Sequence, residues 1–266
     1  MIKLIALDLD GTLLDPSGRI TEPSRQAVAR AQARGVHVVL NTGRSIQEAL
    51  WFARQAGICG LVAALGGAAV ADSASGEVLL RRDMEEPWGR RALALCLGRD
   101  IELMIFAGSQ ILLDPFSRQS LQRSYPFPVF HQASVTVEDP LAYLEEQQLP
   151  MTKIHGDGNP ETYPLAELER LPGVTLTASS DRDFEVVPAG TDKGTALAWM
   201  ARWYGIPLEA CAAVGDSAND LAMLRAAGRP IAMGNAARAV REAARVTAPP
   251  NSREGAAWAI ASCLET

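Results

Sequence analysis

The sequence predicts an α/β protein: a Rossmann-like, doubly wound parallel-sheet core interrupted by an inserted α+β domain. Three observations carry this expectation. Short apolar runs alternate with helical patterns at the start of the chain, strand-like stretches follow one another in the middle, and strict alternation returns after Gly190.

In order, Leu4 to Asp8 reads as a strand, Pro23 to Arg34 as a helix and Val36 to Asn41 as a second strand, a βαβ unit. Thr21 stands where an N-cap belongs and Gly35 where a helix ends. Ser45 to Ala56 reads as a helix and Leu61 to Leu65 as a third buried strand. From Val70 to Val187 the texture changes. Glu77 to Leu80, Glu102 to Phe106 and Gln110 to Leu113 are strand-like; Asp139 to Gln147 and Glu161 to Arg170 look helical; Met151 to His155, Val174 to Ala178 and Phe184 to Val187 look extended. Then come helix Lys193 to Tyr204, strand Cys211 to Gly215, helix Ala218 to Ala226, strand Pro230 to Met233 and helix Ala236 to Ala244. Residues 1–83 and 189–266 are therefore expected to form one core domain, with 84–188 inserted into it.

Composition narrows the function. The chain has 266 residues, and 31 acidic against 25 basic side chains leave a net charge of -6, so no broad electrostatic attraction to nucleic acid or anionic lipid is expected. Cys59, Cys96, Cys211 and Cys263 are scattered without a CxxC pair, which argues against a disulfide framework or zinc cluster and for a reducing cytoplasm. Neither a signal peptide nor a bilayer-spanning apolar run is read. Oligomeric state has no signature here.

Chemistry concentrates at strand ends. Asp8 and Asp10 close the first strand in Asp8-Leu9-Asp10-Gly11-Thr12-Leu13; two residues apart, they point to one side of an extended chain. Open α/β sheets bind ligands beyond the carboxyl ends of their strands, so both carboxylates are expected in that crevice. A D-x-D there is equally a solvated turn. Gly215-Asp216-Ser217-Ala218-Asn219-Asp220 repeats the setting after Val214 and opens a helix; capping explains one of its polar residues, not three. If Asp8 and Asp216 end adjacent strands, a divalent cation is the economical way to offset their repulsion, and all-oxygen ligands favour magnesium over zinc. None of the three histidines has metal-ligand spacing.

A phosphate also finds donors. Asn41-Thr42-Gly43-Arg44 precedes a helix and offers the Thr42 hydroxyl and nearby N–H groups, although a capping turn looks the same. Lys193 opens a helix, where the macrodipole disfavours a cation unless an anion sits there. Together these parts suggest phosphoryl transfer, with Asp8 as nucleophile, Asp10 as general acid and base, and Lys193 and magnesium balancing the oxyanions. Neither a Walker motif nor a G-x-G-x-x-G is present, which removes support for P-loop and dinucleotide chemistry.

In order and context these motifs resemble the haloacid dehalogenase superfamily of aspartate-nucleophile phosphatases, and within it the Cof-type hydrolases with a large type IIB cap. The likeness runs through Phe184 to Pro188, Ile231-Ala232-Met233-Gly234-Asn235-Ala236 and the turn at Asn251 to Gly255, covering nearly the whole chain. The resemblance implies magnesium held by Asp8, the Asp10 backbone carbonyl and Asp216. It also implies phosphate contacts from the Leu9 N–H, Thr42, Gly43, Lys193 and Asn219, with Arg44 and Asp220 in support. Asp10 separates the phosphatases from the dehalogenases, whose leaving group has no oxygen to protonate. The implied partner is a small phosphorylated metabolite, with sugar phosphates one candidate class. Two departures stand out. Gly66-Gly67-Ala68 replaces the usual Asn-Gly-Ala, and Asn41 stands where relatives often have alanine.

The insert is then the cap, where specificity would reside. Arg81, Arg82, Arg118 and Arg123 are candidate readers of a substrate, and Trp88, Phe106, Phe116, Tyr125 and Phe127 are expected to fill the cap's own core. Trp199, Met200 and Trp203 fit the buried side of a helix. Two other functions fit the same motifs: a dedicated sugar-phosphate enzyme, either phosphomutase-like or resembling mannosyl-3-phosphoglycerate phosphatase, and a non-catalytic phosphate-binding regulatory domain.

Overall fold

A computed structural model describes residues 1–265, and the chain separates into two compact units, Met1–Arg81 with Asp192–Thr266 and Arg82–Thr191. The first unit opens with β1 (Leu4–Leu7), α1 (Glu22–Ala33), β2 (His37–Asn41), α2 (Ile46–Ala56) and β3 (Leu61–Ala64). Capping sets both helix starts. Thr21 Oγ1 accepts from the Ser24 N–H at 3.3 Å, and Ser45 forms a reciprocal capping box with Glu48. Next, β4 (Ala69–Asp72) and β5 (Val78–Arg81) run antiparallel to their neighbours. The change of texture at Val70 thus falls within the first unit's sheet, because an antiparallel edge reads like the start of a separate α+β segment.

The second unit contains α3 (Trp88–Cys96), β6 (Ile101–Ala107), β7 (Gln110–Leu113), α4 (Pro115–Ser124), α5 (Pro128–Ala133), β8 (Ser134–Thr136), α6 (Pro140–Glu146), β9 (Met151–Gly158), α7 (Leu165–Leu168), β10 (Val174–Thr177) and β11 (Asp183–Pro188). Its strands are ordered β10-β11-β9-β6-β7-β8. Leu103, Ile105, Ile154, Phe184 and Val186 alternate onto one face and form a core with Ala92, Leu93 and Leu144 from α3 and α6. Strand partners carry polar residues on the alternate positions: Lys153 Nζ donates to Glu185 Oε1 at 2.5 Å, both groups buried. The helix expected over Glu161 to Arg170 is broken, leaving only a short turn at Pro160–Thr162 and α7. Pro164 is the reason, since its ring disfavours helical backbone at Tyr163 and it has no N–H to donate. Of the five aromatics expected in this core, only Phe106 is buried. Phe116 is exposed, whereas Phe130 and Phe184 are buried.

The chain then re-enters the first unit with α8 (Lys193–Trp203), β12 (Cys211–Gly215), α9 (Leu221–Ala226), β13 (Arg229–Ala232), α10 (Arg238–Ala243), β14 (Val246–Thr247) and α11 (Gly255–Ser262). Strand order in this unit is β14-β13-β12-β1-β2-β3-β4-β5, parallel from β14 to β3. From β1 the chain proceeds outward through β2 and β3, and on returning it proceeds the other way through β12 and β13. The crevice beyond β1 and β12 is therefore the topological switch point. Helices α8, α9 and α10 bury Leu197, Met200, Met223 and Val240 against Leu4, Ala6, Val39 and Ala213. Met200 is buried as expected, but Trp203, at the end of α8, is exposed and stacks on Trp199. Among the described residues no helix is long and apolar enough to cross a membrane.

Candidate active site

Asp8 lies one residue past β1, and its N–H continues the ladder by donating to the Val214 carbonyl at 3.0 Å. That bond brings the two acidic segments side by side. The chain then turns through Leu9–Leu13, with Gly11 at φ 76°. A Cβ on Gly11 would lie 2.3 Å from Asp216 Oδ2, so only glycine allows this approach. Gly215 has a matching role, since a Cβ there would lie 2.5 Å from Asp220 Cγ.

Asp8, Asp216 and Asp220 each place a carboxylate oxygen within 4.8 Å of the others. Lys193, the first residue of α8 and 2% exposed, donates Nζ to Asp8 Oδ1 and to Asp220 Oδ1, both at 2.6 Å. The other oxygen of Asp220 accepts from the Asp216 and Ser217 N–H groups at 2.8 and 3.0 Å. Asp220 thus locks the loop and aims the lysine. Asp216 is held by the Thr12 hydroxyl at 3.1 Å and by Asn235 Nδ2 at 3.4 Å, while the same Asn235 amide donates to the Gly11 carbonyl at 2.9 Å.

The Thr42 loop is pinned on both sides. Its N–H donates to the Ala63 carbonyl at 3.0 Å, its carbonyl accepts from the Gly66 N–H at 3.1 Å, and its hydroxyl accepts from the Arg44 N–H at 3.2 Å. Gly66 lies at φ 68°, a left-handed conformation that glycine and asparagine adopt most readily. This backbone demand accounts for a glycine in place of asparagine. Asn219 Oδ1 is buried and has no hydrogen-bond partner among the described residues.

Asp10 departs from the simple same-side picture. Its carboxylate is outside the three-carboxylate cluster and half exposed. Arg44 grips it through Nε at 2.8 Å and Nη2 at 2.7 Å. The turn after Asp8, where Asp10 precedes a left-handed Gly11, breaks the strand periodicity from which the expectation came. Arg44 is itself held by Glu48 at 2.9 Å.

Electrostatics show what the cluster lacks. Burial, then the neighbouring Asp220, pushes the Asp8 pKa well above the ordinary carboxylate range, and the same two causes raise Asp216 to about 6. For Lys193, burial works against the ammonium, but Asp220 and Asp8 outweigh it and lift its pKa above the ordinary value. Three carboxylates face one ammonium. The donor set is all oxygen with negative charge in excess, which fits a hard divalent cation such as magnesium.

Sequence reasoning assigned no role to Thr12, Asn41 or Asn235. Asn235 lay in the quoted Ile231 to Ala236 segment, but only tertiary structure shows what its amide reaches.

Parallel sheet, inserted unit and acidic cluster at the strand ends, taken with the family and the phosphatases to which the chain is similar, define the class, a phosphoric monoester hydrolase. The model of the haloacid dehalogenase-like hydrolase family matches residues 5–260, and the chain belongs to that family, as a Cof-type phosphatase. It is similar to phosphatase YwpJ of Bacillus subtilis (strain 168), with 27% identity over 96% of this chain and 98% of the relative. It is also similar to the 5-amino-6-(5-phospho-D-ribitylamino)uracil phosphatase YcsE of the same strain, with 28% identity over 97% and 94%. Among solved structures, a haloacid dehalogenase-like hydrolase from B. subtilis superposes with a TM-score of 0.87 at 28% identity, covering 98% of this chain and 99% of that one.

Proposed function

We propose that the chain hydrolyses small phosphorylated metabolites in a magnesium-dependent reaction that passes through an aspartyl-phosphate on Asp8. The observation that carries this reading is Lys193 bridging Asp8 and Asp220 beside Asp216. In the first step a carboxylate oxygen of Asp8 forms a bond to phosphorus while the ester oxygen leaves, taking a proton from Asp10. In the second, Asp10 accepts a proton from water as its oxygen bonds to phosphorus. The aspartyl bond breaks and orthophosphate departs. Arg44 holds the Asp10 carboxylate and sets where it can reach.

Lys193 balances charge on the phosphoryl oxygens, with the Thr42 hydroxyl, the Leu9 and Gly43 N–H groups and Asn219 as further contacts. Asp8, Asp216 and the Asp10 backbone carbonyl would hold magnesium, which supplies charge neutralisation at the phosphoryl group when bound. The nature of YcsE, which acts on a phosphorylated ribityl compound, supports a small polyhydroxylated phosphate ester as substrate. Four free thiols suit a reducing, cytoplasmic setting.

The test is orthophosphate release from a panel of phosphorylated metabolites, with magnesium and with chelator, for the wild type and Asp8→Asn. Release that needs both magnesium and Asp8 is the expected result. Release that persists in Asp8→Asn refutes the nucleophile, and phosphate retained on the organic product refutes hydrolysis.

A further inference from the structure

Asn41 is the last residue of β2 and is 0% exposed. Two residues beyond Val39, it shares that residue's face of the sheet, which packs against Ala196, Leu197 and Met223 of α8 and α9. Its Nδ2 donates to the Lys193 carbonyl at 2.7 Å and approaches Met223 Sδ at 3.6 Å. Its Oδ1 is buried and has no hydrogen-bond partner among the described residues. A buried amide with one half unsatisfied works against folding, so its benefit must come from the donor half. That half reaches the backbone of the lysine whose ammonium bridges Asp8 and Asp220.

We propose that Asn41 is a positioning residue, its amide tethering the first turn of α8 to β2 so that Lys193 is held in place for the phosphoryl group. The inference rests on the reaction proposed above. Three points of geometry support it. As the first residue of α8, Lys193 has a carbonyl that already serves the helix ladder, so the Asn41 bond is a second, lateral one. The next residue along the strand is Thr42, whose N–H and carbonyl are both pinned, to Ala63 and Gly66. One side chain therefore joins two phosphate-contacting segments that lie 152 positions apart in sequence. The lysine also has a long flexible stem, and fixing its backbone removes the freedom that the bonds at Nζ alone would leave.

Positioning of this kind acts on the rate more than on substrate capture, because small displacements of a charge-balancing group are felt most where charge moves. The experiment compares wild type, Asn41→Ala and Asn41→Leu, whose branched side chain has the outline of asparagine without its hydrogen-bonding atoms. Orthophosphate release is measured at 25 °C, thermal unfolding separately, and amide hydrogen exchange by mass spectrometry across residues 190–200. In both variants kcat is expected to fall about three- to tenfold with KM changed less than about twofold. Exchange should accelerate selectively in the first turn of α8. The leucine variant guards against a cavity or folding defect in the alanine variant.

Unchanged kcat in both variants overturns the proposal, as does exchange in α8 no faster than in wild type. A fall in Tm with exchange raised throughout the molecule and kcat intact would mark a purely structural residue and also overturns it. If the wild type releases no orthophosphate from any compound, the proposed reaction fails on its own terms. The exchange comparison then still decides the tether, since it is read without turnover.

Discussion

Acid should stabilise this protein when magnesium is withheld, and the size of the effect follows from Asp216. Burial and Asp220 raise its carboxyl to about 6 from an ordinary 3.8, so the folded chain binds this proton more tightly than the unfolded chain does. A raised carboxylate pKa costs stability above the folded value, and that cost disappears as pH falls toward the unfolded value. The full difference corresponds to about 3 kcal/mol, of which roughly half, on the order of 1 kcal/mol, is recovered between pH 7.5 and pH 5. For a chain of this size that is about 2–4 °C in Tm. Asp8 shifts in the same direction and adds to the gain. Carboxylates with lowered pKa, such as Glu185, contribute stability that is lost only at more acidic pH.

The assay is thermal unfolding from pH 5 to 7.5 in chelator and in excess magnesium. In chelator Tm should rise toward pH 5. In magnesium the order should reverse, because protons compete with the cation for Asp216 and binding to the folded state raises Tm at neutral pH. Asp216→Asn should be more stable than wild type at pH 7.5 in chelator, should lose most of the pH dependence and should respond little to magnesium. A Tm in chelator that is flat or falls toward pH 5, or Asp216→Asn less stable than wild type at pH 7.5, would refute the argument that the bare cluster is electrostatically strained.

Three further outcomes are expected. Gly11→Ala must place a Cβ against the Asp216 carboxylate at a positive φ, so kcat/KM should fall at least about 100-fold, a loss checked by steady-state kinetics beside a circular dichroism spectrum. Asn235→Ala removes a donor that orients Asp216 and should weaken magnesium binding about tenfold or more, read by titration of activity and by calorimetry. In the second unit, Lys153→Met leaves the buried Glu185 carboxylate with His155 but no ammonium beside it and should cost about 3–5 kcal/mol in denaturant unfolding at neutral pH. Lys153→Met with Glu185→Leu should recover most of that loss, because two apolar groups leave no buried charge unpaired.

Much of this architecture is legible in local pattern. Apolar runs bounded by Thr21, Gly35 and Ser45 fall within a residue or two of the observed strands and helices, because capping and burial periodicity are properties of neighbouring residues. The helix Pro115–Ser124 carries a local signal of its own, Asp114 as cap followed by Pro115 in the first turn. Pro164 is likewise a local signal against one long helix over Glu161 to Arg170.

By itself the sequence determined which side chains stand at strand ends, and hence the chemical inventory of Asp8, Asp10, Thr42, Lys193, Asp216, Asn219 and Asp220. Tertiary structure alone decided which of these meet. Strand order brought Asp8 beside Asp216, a left-handed glycine turned the Asp10 carboxylate toward Arg44, and α8 packed across β2 so that Asn41 reached the lysine backbone. The physical reason is range. Propensity and periodicity act over a few residues, whereas a cluster of like charges offset by one ammonium exists only after distant segments have been packed together, at a cost the sequence pattern does not display.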